Sequence, residues 1–139
     1  MFMQAVLNAT DVRNEWGSFI DTVVRVRPQF VKRNRDLFTA ISLEHLDVIL
    51  TGYRFNMTYE KEDDGSYSGS LDVFDVVANA PTLDELKVAL AQEAVEYARE
   101  YMEEFQLYYN SRNRRYHAPY VLRVIIQPDI NGVVRLIDA

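Results

Sequence analysis

Apolar and polar positions follow two successive programmes along the chain, and the change between them near residue 52 predicts two units. In the front stretch an apolar start, 2–7, leads into Val12, Trp16, Phe19, Ile20 and Val23, which recur at helical spacing. Asn8 or Thr10 supplies a side-chain cap for that helix and Asp11 suits its positive end. Pro28 stops whatever precedes it. Two short β-prone runs, 29–33 and 37–41, flank Asn34-Arg35-Asp36, a hairpin turn in which Asn and Asp tolerate the left-handed region. Ser42 then caps a second short helix over 43–50, and Thr51-Gly52 reads as its end.

From residue 53 the rhythm becomes strict alternation. Tyr53, Phe55, Met57 and Tyr59 stand against Arg54, Asn56, Thr58 and Glu60, a strand with one buried face. A turn at 62–65 leads to a second alternating run carrying Tyr67, Gly69, Leu71 and Val73, completing a hairpin, and 74–78 supplies a third short strand. Thr82, with Glu85 three residues on, forms a capping box for the strongest helix in the chain. Leu83, Leu86, Leu90, Ala94, Tyr97, Tyr101, Phe105 and Tyr108 make one stripe along it. After a basic loop, 112–117, and Pro119, the run 120–127 is apolar on both faces and reads as a central strand; 133–137 reads as a last one. The expectation is an α+β fold in two domains, 1–52 and 53–139.

Charge sharpens this division. The net charge of −6 conceals seven Lys/Arg against six Asp/Glu over 1–54, three against thirteen over 55–109, and five against two over 110–139. A neutral-to-basic front, an acidic middle and a basic end suit a chain whose parts face different partners. The chain has no cysteine, which excludes disulfides, thiolate metal sites and a cysteine nucleophile. His45 and His117, about seventy residues apart, are the only histidines, too few for a zinc site or a Ser-His-Asp triad. No membrane-spanning run and no secretory leader is recognisable, so a cytoplasmic protein is expected, with no cofactor and no metal.

Four constellations could carry function. Arg13, Lys32, Arg33, Asn34 and Arg35, with Arg25 and Arg27 nearby, are suited to phosphate and base-edge contact, or are solvated charges at a hairpin tip. Glu93, Glu96, Glu100, Glu103 and Glu104 lie mostly off the apolar stripe of the long helix. They form either a solvated face or an acidic surface for a basic partner; a di-metal centre would need histidine at i+3, and none is present. Tyr97, Tyr101, Tyr108, Tyr109, Tyr116 and Tyr120, beside Arg112, Arg114 and Arg115, are either core residues or a platform for single-stranded nucleic acid. The strand order of the middle unit is compatible with an RNase H-like fragment, but Asp72, Asp75 and Asp84 are isolated, and no P-loop, GxGxxG or nucleophile motif occurs.

Ala9-Thr10-Asp11-Val12-Arg13, then Lys32-Arg33-Asn34-Arg35, then Ser42-Leu43-Glu44 give residues 2 to about 50 a resemblance to the prevent-host-death (Phd/YefM) antitoxin N-terminal domain. The resemblance implies a dimer that reads a palindromic operator, with Arg13, Lys32 and Arg33 at the DNA and Arg35 standing where the family often has glycine. More loosely, Asp64-Gly65-Ser66-Tyr67 and Pro81-Thr82-Leu83-Asp84-Glu85-Leu86 resemble the HicB antitoxin domain, whose fold is three strands, a helix and a further strand and which blocks a small RNA-cleaving toxin. Together they imply a non-enzymatic antitoxin: residues 1–52 would dimerise and bind operator DNA to repress the operon. Residues 53–139 would neutralise a toxin through Glu96, Glu100, Glu103 and Glu104. The alternative expectation is an interaction or assembly module whose front unit only dimerises, without DNA.

Overall fold

A computed structural model describes residues 5–139 and divides the chain into two compact units, Met1–Ile49 and Leu50–Ala139. The first contains β1 (Val6–Asn8), α1 (Ala9–Asn14), α2 (Trp16–Arg25), β2 (Gln29–Arg33), β3 (Asp36–Ala40) and α3 (Leu43–Ile49). Of the expected apolar start, residues 2–4 lie outside the described residues. Strand β2 is central, parallel to β1 and antiparallel to β3. The hairpin closes through Asn34, whose φ of 55° is left-handed, as the Asn-Arg-Asp turn requires. Asn8 caps α1 by accepting from the Thr10 amide, and Ser42 Oγ accepts from the His45 amide at the start of α3.

The single helix expected over the Val12 to Val23 stripe is interrupted. Glu15, with φ −123° and ψ 44°, leaves the helical region and separates α1 from α2. Helix α2 consequently starts in a new phase: Val12 and Val23 are buried and Phe19 half-buried, whereas Trp16 and Ile20 are exposed. A one-residue break leaves the three-and-four spacing of apolar residues intact, so periodicity does not reveal it.

The second unit contains β4 (Phe55–Lys61), β5 (Tyr67–Leu71), β6 (Val77–Ala80), α4 (Leu83–Glu103), α5 (Phe105–Tyr109), a 3-10 turn (Arg115–His117), α6 (Ala118–Ile125), α7 (Ile130–Val134) and β7 (Ile137–Asp138). The sheet order is β6-β5-β4-β7, antiparallel except that β7 runs parallel to β4. Helix α4 packs on β5 and β6 and against α6 and α7. Its Leu86, Leu90, Ala91, Ala94, Ala98 and Tyr101 are wholly buried, with Phe55, Met57 and Leu71 from the sheet in the same core. The small alanines let α4 lie close to its neighbours. Thr82 caps α4 by accepting from the Glu85 amide, and Asp64 orders the β4–β5 turn by accepting from both the amide and the hydroxyl of Ser66.

Four further expectations are corrected here. The run 120–127 is not a strand: it lies mostly in α6, which begins at Ala118 with Pro119 in its first turn and buries Ala118, Val121, Arg123 and Val124. A short β-branched apolar run has the same pattern in a covered helix as in a central strand, and proline in a helical first turn loses no hydrogen bond. The third strand begins at Val77 rather than Phe74, because residues 72–76 form a tight connection in which Val73 and Asp75 take left-handed φ of 66° and 57°. The last strand is confined to Ile137–Asp138, since α7 takes up Val133 and Val134. Helix α4 also ends earlier than its stripe, at a break on Glu104 (φ −119°, ψ 42°).

Candidate functional site

The register of the first sheet sets the basic hairpin tip beside the start of α1. Asn8, the last residue of β1 and the cap of α1, pairs with Lys32, so the start of α1 and the β2–β3 hairpin tip share one end of the sheet. Arg13 lies at the end of α1, and Lys32, Arg33, Asn34 and Arg35 form the tip, all exposed. Arg33 is tied to Asp36 at 3.1 Å across the turn. Arg13, Lys32 and Arg35 have no carboxylate partner among the described residues. Three free cations on short, structured elements can bind phosphate or base edges, whereas a solvated exposed ion pair such as Arg33–Asp36 contributes little to stability.

The same unit has little core of its own. Val12, Val23 and Val31 are its buried hydrophobic residues among those described, while Trp16 (57% exposed), Ile20, Val24, Phe30, Leu37 and Phe38 (54% exposed) face solvent. Trp16, Ile20 and Val24 follow one another at four-residue intervals along α2 and form a single ridge. Phe30 and Leu37 lie on one face of the β2–β3 ladder, with Val6 beside Phe30.

On α4, Glu93, Glu96, Glu100 and Glu103 are all exposed, as is Glu104 at the break, and none is ion-paired among the described residues. Three of them stand at the C-terminal end, where the helix dipole disfavours negative charge, and the last turn of α4 carries no basic residue. Like charges at i, i+3 and i+4 repel as well. The row is therefore maintained against local helix stability.

Most of the tyrosines are core residues. Tyr101 is wholly buried and donates its hydroxyl to the Arg114 carbonyl at 2.8 Å, and it stacks on Tyr108 at 5.2 Å. His117, expected in the basic loop 112–117, is instead buried at the 3-10 turn, and its Nδ1 shares a 2.6 Å hydrogen bond with the Tyr97 hydroxyl. Its Nε2 is buried and has no hydrogen-bond partner among the described residues. Burial, helped by the Arg114 guanidinium and opposed by Asp75, lowers the imidazole pKa from its ordinary value. A cleft of about 340 Å³ opens here, bordered by Asp75, Asn113, Arg114 and Tyr116. Sequence reasoning did not find it, because its residues come from connections some forty positions apart and the left-handed backbone at Val73 and Asp75 leaves no compositional mark. The carboxylates Asp72, Asp75 and Asp84 do not converge with others on a metal-binding group among the described residues, and Asp72 accepts from both the amide and the side chain of Asn56.

Two comparisons with known proteins bear on this arrangement. A family model described as "PHD_like: Antitoxin of toxin-antitoxin, RelE / RelB, TA system" matches residues 3–139. The chain belongs to this antitoxin family. A solved structure from Syntrophomonas wolfei subsp. wolfei, described as an antitoxin part of a toxin/antitoxin system, shares 38% identity with the antitoxin, covers 98% of each chain and superposes with a TM-score of 0.91. No curated protein matches. The two small sheets with their helices are thus the fold of an antitoxin, and an antitoxin implies a cognate toxin. Among its described residues no helix is long and apolar enough to cross a membrane.

Proposed function

We propose that the antitoxin dimerises through a Phd/YefM-like front domain, residues 1–52, and binds operator DNA to repress its own operon, while a HicB-like domain, 53–139, neutralises the toxin; no catalysis is assigned to either. The observation that carries this reading is the ridge of Trp16, Ile20 and Val24 together with Phe30, Leu37 and Phe38. A unit of this size, with three valines buried among its described residues, lacks the core to leave such residues in water, and a second copy supplies the missing cover. A two-fold dimer presents two copies of Arg13, Lys32 and Arg33 to half-sites about one helical turn, or a multiple of it, apart. The three antiparallel strands, long helix and final strand parallel to β4 support the HicB-like reading. The glutamates at the C-terminal end of α4 support a basic partner there.

A gel shift on the DNA upstream of the antitoxin's own gene tests the proposal. Binding is expected to weaken steeply with added salt, and Arg13→Ala with Arg33→Ala is expected to reduce affinity at least about tenfold at fixed salt. If the double variant binds as well as the parent, the assigned surface is wrong. The overall charge of −6 favours the second reading, an assembly module without DNA binding; co-purification with the neighbouring gene's product in the absence of any operator shift would establish it.

A further inference from the structure

The cleft of the second unit is formed by the β5–β6 connection, Tyr97 of α4 and the segment around the 3-10 turn. Its floor is aromatic: Phe74 and Tyr97 have ring centroids 4.6 Å apart, and the His117 ring lies 5.6 Å from each. Tyr116 packs edge-on to His117 at 4.4 Å and is 59% exposed at the rim. Two opposite charges border it. Asp75, held there by left-handed backbone, has neither an ion pair nor a hydrogen bond to its carboxylate among the described residues. The Arg114 guanidinium lies over the Tyr97 and Tyr108 rings, at 5.7 and 5.0 Å, with no carboxylate partner among the described residues. Two positions earlier in the chain, Arg112 is exposed and likewise without a carboxylate among the described residues, in a unit with fifteen acidic residues against nine basic ones.

An unpartnered carboxylate and an orphaned buried imidazole nitrogen in one place are costs that a packed core avoids and that binding sites retain. The walls restrict what fits. A simple anion is repelled by Asp75 and a simple cation by Arg114, so the occupant is neutral where it lies between them. It is flat, to use the aromatic rings, and it offers donors to a carboxylate and an acceptor to a guanidinium. Guanine presents two adjacent N–H donors and a carbonyl on one edge; adenine and cytosine have no such pair of donors beside an acceptor. We propose that this cleft binds a guanine nucleotide, with the base edge on Asp75 and Arg114, the ring stacked at Tyr116, and the phosphate on Arg112. A free nucleotide and a guanine in a single RNA strand offer the same chemistry.

Titration calorimetry of the full chain with guanosine monophosphate and adenosine monophosphate provides the test. The guanine nucleotide is expected to bind at least about tenfold more tightly, because an unsatisfied carboxylate discriminates against a base lacking the paired donors. Asp75→Asn retains a residue type suited to left-handed backbone, so its melting temperature should match the parent's while the preference for guanine disappears. Tyr116→Ala, at an exposed ring, should weaken both nucleotides. A fluorescein-labelled oligoribonucleotide of about eight residues containing guanine separates the sources: affinity more than tenfold above that of the mononucleotide, lost in Arg112→Ala, identifies a strand, and comparable affinity identifies the free nucleotide. The proposal is overturned if neither the mononucleotide nor the oligonucleotide binds at millimolar concentration, or if adenine binds as well as guanine and Asp75→Asn changes nothing.

Discussion

At the scale of single residues, Gly69 shows how closely α4 lies on the sheet. A Cβ there would stand 2.8 Å from Leu86 Cδ2 and 2.9 Å from the Thr58 carbonyl oxygen. The leucine can shift but the backbone carbonyl cannot, so Gly69→Ala is expected to destabilise the second unit by about 1–3 kcal/mol, read as a lower denaturant midpoint with unchanged slope. His117 leads to a pH prediction. Because burial holds its folded pKa below the ordinary 6.5, the folded state binds fewer protons than the unfolded chain in that range. Its contribution is fully present above the unfolded pKa and is lost as the pH falls towards the folded one. Melting temperature should therefore decline as the pH falls through and below the ordinary histidine value, and His117→Phe should remove its share of the decline while losing the Tyr97 hydrogen bond. A variant whose melting profile keeps the parent's slope over this fall in pH would refute the assignment to His117.

At the scale of elements, α4 organises the second unit, and its N-terminal cap is a single hydroxyl: Thr82 Oγ1 accepting from the Glu85 amide at 3.1 Å. Thr82→Ala should cost about 1 kcal/mol and Thr82→Ser considerably less; equal losses would mean that the cap is not what Thr82 contributes. This element was readable in advance because the cap, the acidic first turn and eight apolar positions all pointed the same way. The β2–β3 hairpin was readable for a similar reason, since only a few residue types accept the backbone that Asn34 adopts. Helix α6 was not, because Tyr120, Val121, Leu122, Val124 and Ile125 satisfy a buried strand and a covered helix equally. The basic tip was legible as a cluster, but its proximity to the start of α1 required the Asn8–Lys32 pairing. The cleft at His117 was illegible altogether, since it is assembled by tertiary contact between the β5–β6 connection and the segment after α5.

At the scale of the whole molecule, the consequential feature is the mismatch between the two cores. The second unit buries a continuous cluster from Phe55 to Ile137, whereas the first leaves more large apolar side chains exposed than it buries. If a second copy covers that surface, the assembly has a built-in reporter, because the chain's only tryptophan, Trp16, stands on the ridge and is 57% exposed in the single chain. The expected mass in solution is about twice the 16.2 kDa of one chain, and Trp16 emission should be blue-shifted at micromolar concentration. Dilution through the dissociation constant should shift it to the red as the indole returns to water. Ile20→Glu places an unpaired charge one helical turn from Trp16, and should give red emission and a single-chain mass throughout. The second unit provides an internal control, since its amide exchange protection should be unaffected by the substitution. Red emission and a single-chain mass for the unmodified protein at every accessible concentration would remove the dimer, and with it the two-fold presentation of Arg13, Lys32 and Arg33 on which operator recognition depends.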